Sequence, residues 1–193
     1  MLSLLKQHKR KVVFAGSPRD FTVKDGYYQA HTIAGLLKYI KKKWHGNFSV
    51  VFRPPETGIP EALHNIALAL LKLQLGYYNG EHTGKIMLAV DELNISFGHK
   101  RPRQFDGFER AILQGAHYGL ELMGATQRPT LVHPDFRDNA TVVYFFPVMG
   151  DVGDVVRACL GSEHAKELKG LKNHSFIVTD NGDISRGKNP PLK

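Results

Sequence analysis

The stretch Lys85–Asn94, KIMLAVDELN, constrains the fold more than any other. Five apolar residues in a row, Ile86 to Val90, run straight into two carboxylates, Asp91 and Glu92. An unbroken apolar run of this length reads as a strand buried on both faces, which belongs in a parallel sheet covered by helices. The acidic pair then lies at the carboxyl end of that strand, where open α/β sheets bind their ligands. Carboxylates desolvated there need a cation or hydrogen bonds beside them.

The rest of the chain fits such a sheet. Leu2–Lys9 reads as the tail of a helix and Lys11–Ala15 (KVVFA) as a short buried strand stopped by Gly16-Ser17-Pro18. Residues 19–29 read as loop. Ile33, Leu36, Leu37 and Ile40 recur at helical spacing, which predicts an amphipathic helix over Ala30–Lys43. Phe48–Phe52 (FSVVF) is a strand, and the loop Arg53–Pro60 hands Pro60 to a helix bearing Leu63, Ile66, Ala67, Leu70 and Leu71 on one face. After the 86–90 strand come a loop over 95–105, a helix over Phe108–Tyr118 and a strand over Leu120–Thr126 that ends in Gln127-Arg128-Pro129. Thr141–Phe146 reads as a strand, Val152–Leu168 as a helix broken at Gly161, and His174–Thr179 as a late strand. Asp180-Asn181-Gly182 signals a hairpin. This alternation predicts a mainly parallel sheet flanked by helices, with a small antiparallel hairpin at the carboxyl end. Residues 1–193 read as a single α/β domain with a loose tail from Gly187 to Lys193.

No apolar run approaches the ~18 residues that a membrane-spanning helix needs. The order apolar-then-basic in MLSLLKQHKRK is the reverse of a secretory signal. Cys159 is the single cysteine, so no internal disulfide and no paired-cysteine metal site can form, and a cytoplasmic setting is expected. Within the helical run VVRACL, Cys159 reads as a buried small hydrophobe. The ten histidines show no zinc-ligand spacing. Lys and Arg outnumber Asp and Glu by 26 to 18, a formal +8, with clusters at Lys6–Lys11, Lys41–Lys43 and His99–Arg103 (HKRPR). Such a surface suits polyanions, though a basic protein can also be merely soluble. Lys41–Lys43 also suits a helix carboxyl end, and HKRPR reads either as a DNA-facing loop or as a solvated one.

Two neighbouring strand ends carry polar groups that converge: Asp91 and Glu92 on one, Thr126 and Gln127 on the next, with Arg128 behind them. Singly, each has a plainer reading. Asp91 could cap a helix, Glu92 could be solvated, and Gln127-Arg128-Pro129 could be an ordinary turn. Jointly, IMLAVDE, a helix, then LMGATQRP and a strand such as TVVYFF resemble the HerA/FtsK superfamily of P-loop ATPases, ring-forming motors that move DNA. The resemblance runs from about Leu4 to about Asn189 and implies a RecA-like P-loop NTPase core. It implies ATP and Mg²⁺ as cofactors, DNA as partner and a hexameric ring. By this resemblance IMLAVDE is the Walker B strand: Asp91 would hold Mg²⁺, Glu92 would polarise the attacking water, and Gln127 would sense the γ-phosphate, with Arg128 near the nucleotide.

The phosphate cradle of that family, G-x-x-x-x-G-K-S/T, has no match. Gly16-Ser17-Pro18-Arg19 lacks the second glycine and the lysine, and Gly80–Lys85 (GEHTGK) is one residue short, lacks the hydroxyl and precedes a strand instead of following one. The resemblance aligns Leu2–Lys9 with the end of the helix that follows the cradle, so the first strand and the phosphate loop are expected upstream of Met1. The basic residue that often precedes the family's His-x-Gly is also missing from Gly115-Ala116-His117-Tyr118-Gly119, leaving Arg110, Arg128 or Arg137 as stand-ins for an arginine finger. A degenerate relative that binds DNA or a partner ATPase without hydrolysis is the alternative.

Overall fold

The structure, a computed structural model, describes residues 2–17, 19–148 and 153–188. The chain divides into two compact units, Met1–Gln127 with Leu131–Phe136, and Arg128–Thr130 with Arg137–Lys193.

The first unit holds five strands: β1 (Arg10–Phe14), β2 (Tyr28–Ala30), β3 (Phe48–Phe52), β4 (Ile86–Val90) and β5 (Leu120–Gly124). They form one parallel sheet in the order β2-β3-β1-β4-β5. Its helices are α1 (Leu2–Leu5), α2 (Ile33–Lys42), α3 (Ile59–Leu73), α4 (Leu75–Tyr78), α5 (Leu93–Ser96) and α6 (Gly107–Gln114); α7 (Pro134–Asp138) follows at the division between units.

β4 explains its own composition. All five of its residues are buried, and alternate side chains enter different cores. Ile86, Leu88 and Val90 join the larger cluster with Leu36, Ile40, Leu63, Ile66 and Phe108 from the helices. Met87 and Ala89 join the opposite, smaller cluster with Leu5, Phe21 and Tyr27. β1 divides likewise, Val12 and Phe14 to one side and Val13 to the other. The five α3 positions expected to face inward are the buried ones.

Two expectations shift here. The helix expected from Ala30 starts at Ile33, because Tyr28–Ala30 is a short strand pairing with β3 and Thr32 then caps the helix through the Gly35 amide. Three residues carry no period, so only the pairing makes them a strand. The helix expected over Phe108–Tyr118 closes its last turn as a tighter 3₁₀ segment, Gly115–Tyr118, ended by Gly119 at φ 64°.

The second unit contains β6 (Val142–Phe145), α8 (Asp154–Leu160), α9 (Ser162–Glu167), β7 (Ser175–Asp180) and β8 (Asp183–Lys188). Its three strands are antiparallel in the order β6-β7-β8, around Val156, Leu160, Ala165, Leu168 and Ile177. The small antiparallel element is thus a three-stranded sheet that takes in TVVYFF. The expected hairpin turn is present: Asp180 pairs with Asp183 across Asn181 (φ 48°) and Gly182 (φ 95°), the two left-handed positions of a type I′ turn. β8 includes Gly187 and Lys188, and residues 189–193 of the expected tail lie outside the described residues.

Cys159 is exposed, contrary to expectation. The short helix α8 buries only Val156 and Leu160, a single i,i+4 pair, and Cys159 falls off that stripe. Among the described residues no helix is long and apolar enough to cross a membrane.

Candidate active site

The carboxyl ends of the central strands are pinned at one level. The Asp91 amide donates to Phe14 O at 2.9 Å, the Ala125 amide to Val90 O at 2.9 Å, and the Leu93 amide to Ala125 O at 2.8 Å. Thr126 Oγ1 donates to Asn94 Oδ1 at 2.7 Å, tying the segment after β5 to the one after β4. This sets Asp91 and Glu92 beside Ala125 and Thr126, with the exposed Gln127 next in chain. Arg128, also exposed, begins the second unit.

Gly124, the glycine of GATQRP, has a packing reason. A Cβ there would lie 2.6 Å from a Leu93 methyl and 2.8 Å from the tip of the Phe136 ring. Leu93 directly follows Glu92, so the close approach of β5 to α5 also positions the acidic pair. Gly124→Val should cost about 1–3 kcal/mol by overpacking, read as a lower denaturant midpoint; an unchanged midpoint would mean Leu93 and Phe136 yield freely.

Asp91 is half-buried and does not cap α5. Burial pushes its carboxyl above the ordinary aspartate value, and the charges of Glu92 and Asp20 push the same way, against a hydrogen bond from the Glu92 backbone. Glu92 is exposed and stands at φ 49°, ψ 51°, in the left-handed region that only glycine occupies freely. Its backbone strain holds a carboxylate at a position where an ordinary turn would place glycine or asparagine.

The shift of Asp91 makes a testable statement. An aspartate whose folded-state pKa is raised weakens the folded state once pH passes from its unfolded value, ~3.9, up through the folded one. Asp91→Asn should therefore raise the melting temperature at neutral pH, and the gain should vanish as pH falls below that unfolded value. A lower or unchanged melting temperature at pH 7 would contradict the desolvation of Asp91.

Arg53 is the site residue that sequence reasoning missed. It follows β3 directly, at the level of Asp91, since Phe52 and Val90 both pair with Phe14. Its guanidinium donates to Ala15 O (3.1 Å), to the carbonyls of Ser17, Asp20 and Phe21, and to Gln29 Oε1 (3.1 Å). It thereby clamps the loop after β1, which carries Asp20 toward Asp91. Burial pulls its pKa below the ordinary arginine value, partly offset by Asp20. The signal was present: Arg53 is the first polar residue after an apolar strand, the feature that makes Asp91 conspicuous.

The residues test the two implied groups differently. For a divalent cation the site offers the half-buried Asp91 carboxylate, and among the described residues no group of three or more His, Cys, Asp or Glu side chains gathers to hold a metal ion. The triphosphate has no cradle among the described residues: the loop after β1 has no G-x-x-x-x-G-K-S/T, its lysine, Lys24, stands exposed in the 3₁₀ turn Val23–Asp25, and the Arg53 guanidinium is engaged by carbonyls. GEHTGK lies before β4, at the opposite end of the sheet.

Nor does HKRPR behave as an open basic loop throughout. The Arg101 side chain is only 6% exposed; it pairs with Glu109, donates to Phe105 O and lies over the Phe97 ring at 4.6 Å. Arg101 holds this loop against α6, because a buried guanidinium needs its carboxylate. Lys100 and Arg103 remain exposed.

No protein-family model and no curated protein matches this sequence. Solved structures do match. The genome-packaging NTPase B204 of Sulfolobus turreted icosahedral virus 2, in complex with AMPPCP, superimposes with a TM-score of 0.70 at 20% identity, over 98% of this chain and 87% of that one. The same protein with ATP-gammaS gives 0.71 at 18% identity, over 99% and 88%. B204 of Sulfolobus turreted icosahedral virus, described as its DNA-packaging ATPase, gives 0.68 at 18% identity, over 99% and 88%. The chain shares the fold of B204. At this identity the likeness speaks for architecture, and the RecA-like core inferred from IMLAVDE and GATQRP agrees with it.

Proposed function

We propose that this protein is a subunit of an ATP-driven machine that packages or translocates DNA for a virus or mobile element. The observation that carries this reading is the pairing of β4, followed directly by Asp91-Glu92, with β5, followed after Ala125 by Thr126-Gln127, within a fold shared with B204. In this reading Asp91 would hold Mg²⁺, Glu92 would take a proton from the attacking water, and Gln127 would orient that water and register the γ-phosphate. Bound Mg-ATP supplies the phosphoryl group and the metal that neutralises its charge. Working subunits would form a ring, usually of six, with Arg110, Arg128 or Arg137 acting across a subunit boundary.

A second reading rests on a specific observation. The 193 residues contain no G-x-x-x-x-G-K-S/T. A non-catalytic relative would keep the fold and bind DNA or a partner ATPase. The coding sequence around this chain separates the two. An in-frame cradle motif upstream supports the motor, and a stop codon with no such motif supports the binder. Residues 1–193 alone should show no micromolar Mg-ATP binding by calorimetry, since no G-x-x-x-x-G-K-S/T supplies an amide cradle with its lysine. Micromolar binding would mean that these residues hold a triphosphate without the cradle motif.

A further inference from the structure

The amino ends of the strands carry a second site. A cleft of about 440 Å³ opens there, lined by His8, Lys9, Arg10, His45, Lys85 and Glu121 among others. β strands rise about 3.3 Å per residue, so five-residue strands set it roughly 17 Å from the Asp91 end. We infer that this basic cleft binds the phosphate backbone of nucleic acid. The inference rests on DNA being the partner, as in the proposed function, and assigns the surface that meets it.

The charge is arranged for an anion. Glu121 is already engaged, by Lys85 Nζ at 3.1 Å and His8 Nδ1 at 3.3 Å. Arg10 is fixed without a carboxylate: it donates to Trp44 O at 2.8 Å and lies over the Trp44 ring at 5.2 Å. Gly84 makes room for it, since a Cβ there would fall 2.0 Å from Arg10 Nη1. A guanidinium held by a carbonyl and a ring has, among the described residues, no carboxylate offsetting it there, so it adds to the local field. Lys9 and His45 are exposed and, among the described residues, make no ion pair. An adjoining cleft of about 410 Å³ shares His45 and adds Lys41 and one carboxylate, Glu81, and Lys42 and Lys43 are exposed beside it, so cations still outnumber acids there.

The form of the ligand follows from what the site does not offer. Trp44 has Arg10 over its ring and His82 edge-on at 5.3 Å, so it is no free platform for base stacking. What remains is open and carries more cations than carboxylates, suited to phosphates and indifferent to sequence. The loop over 95–105 is the weaker candidate, because its Arg101 is buried against Glu109.

The test uses the full chain and a labelled random-sequence DNA duplex, with anisotropy read across a salt series. Wild type should bind with affinity falling steeply with salt. Lys9→Glu with Lys43→Glu should lower affinity at least about tenfold at 0.1 M salt and flatten the log–log salt slope by about two, close to 0.9 for each phosphate no longer neutralised. Both residues are exposed, so folding should survive, and circular dichroism checks it. Lys100→Glu with Arg103→Glu should bind like wild type. Unchanged binding by the first pair, or loss confined to the second, would overturn the assignment while leaving DNA as the partner. No duplex binding by wild type would remove DNA itself. Polyglutamate binding as tightly as DNA, charge for charge, would make the cleft a docking surface for acidic protein and overturn the nucleic-acid assignment.

Discussion

Glu92→Gly should make the protein more stable and, on the proposed role of Glu92, inactive in any assembly that turns over ATP. Both effects come from one residue seen at two levels. Its backbone stands at φ 49°, ψ 51°, where a side chain costs roughly 1–2 kcal/mol and glycine does not. Glycine gives back about 0.5–1 kcal/mol through the flexibility of the unfolded chain, so a net gain of up to ~1 kcal/mol is expected. Glu92→Gln separates the levels. It keeps the strained backbone and removes the proposed base, so stability should stay near wild type while turnover should fall about 10²–10⁴-fold. Nucleotide binding should survive in that variant, because in the proposed role Glu92 acts on the water and not on the nucleotide. Denaturant titration reads the first effect and steady-state turnover the second. Retained turnover in Glu92→Gln would mean that Glu92 is not the base. A Glu92→Gly protein no more stable than wild type would mean that the turn, and not the carboxylate, requires this backbone.

Much of this arrangement was legible because the strands are short and apolar. IMLAV could only be a strand buried on both faces, and the structure divides it between two cores. FSVVF has the bounds its composition implied. What escaped was set by partners distant in sequence. YQA carries no period and becomes β2 only by lying along β3. TVVYFF was legible as a strand, but nothing local says which sheet it joins, and its partner β7 comes some thirty residues later. Arg101 looked like an exposed charge in a basic run until Glu109 and the Phe97 ring were beside it. The site shows the same division. Asp91, Glu92 and Gln127 stand out because polar residues at apolar strand ends are conspicuous. Arg53 satisfies the same criterion, yet its work is done on carbonyls more than thirty residues away, which no local pattern reveals.

Arg53→Ala should be the most destabilising substitution near the site. The guanidinium donates to the carbonyls of Ala15, Ser17, Asp20 and Phe21 and to the Gln29 side chain. Hydrogen bonds to a charged group contribute about 1.5–3 kcal/mol each when made, and they are not additive here because one side chain makes all of them. A loss of about 3 kcal/mol or more is therefore expected, seen as a lower denaturant midpoint. The damage should extend to the site, because the clamped loop carries Asp20, whose charge bears on Asp91. With the loop released, Asp91 should move back toward the ordinary aspartate value, so Asp91→Asn should stabilise the Arg53→Ala protein less than wild type at pH 7. Arg53→Lys should recover little. An ammonium offers three donors from one point, whereas these carbonyls lie around a planar fork. Equal gains from Asp91→Asn in both backgrounds would show that Arg53 holds the loop without influencing the acidic end of β4. A smaller gain would tie the missed arginine to the carboxylates that the strand pattern made conspicuous.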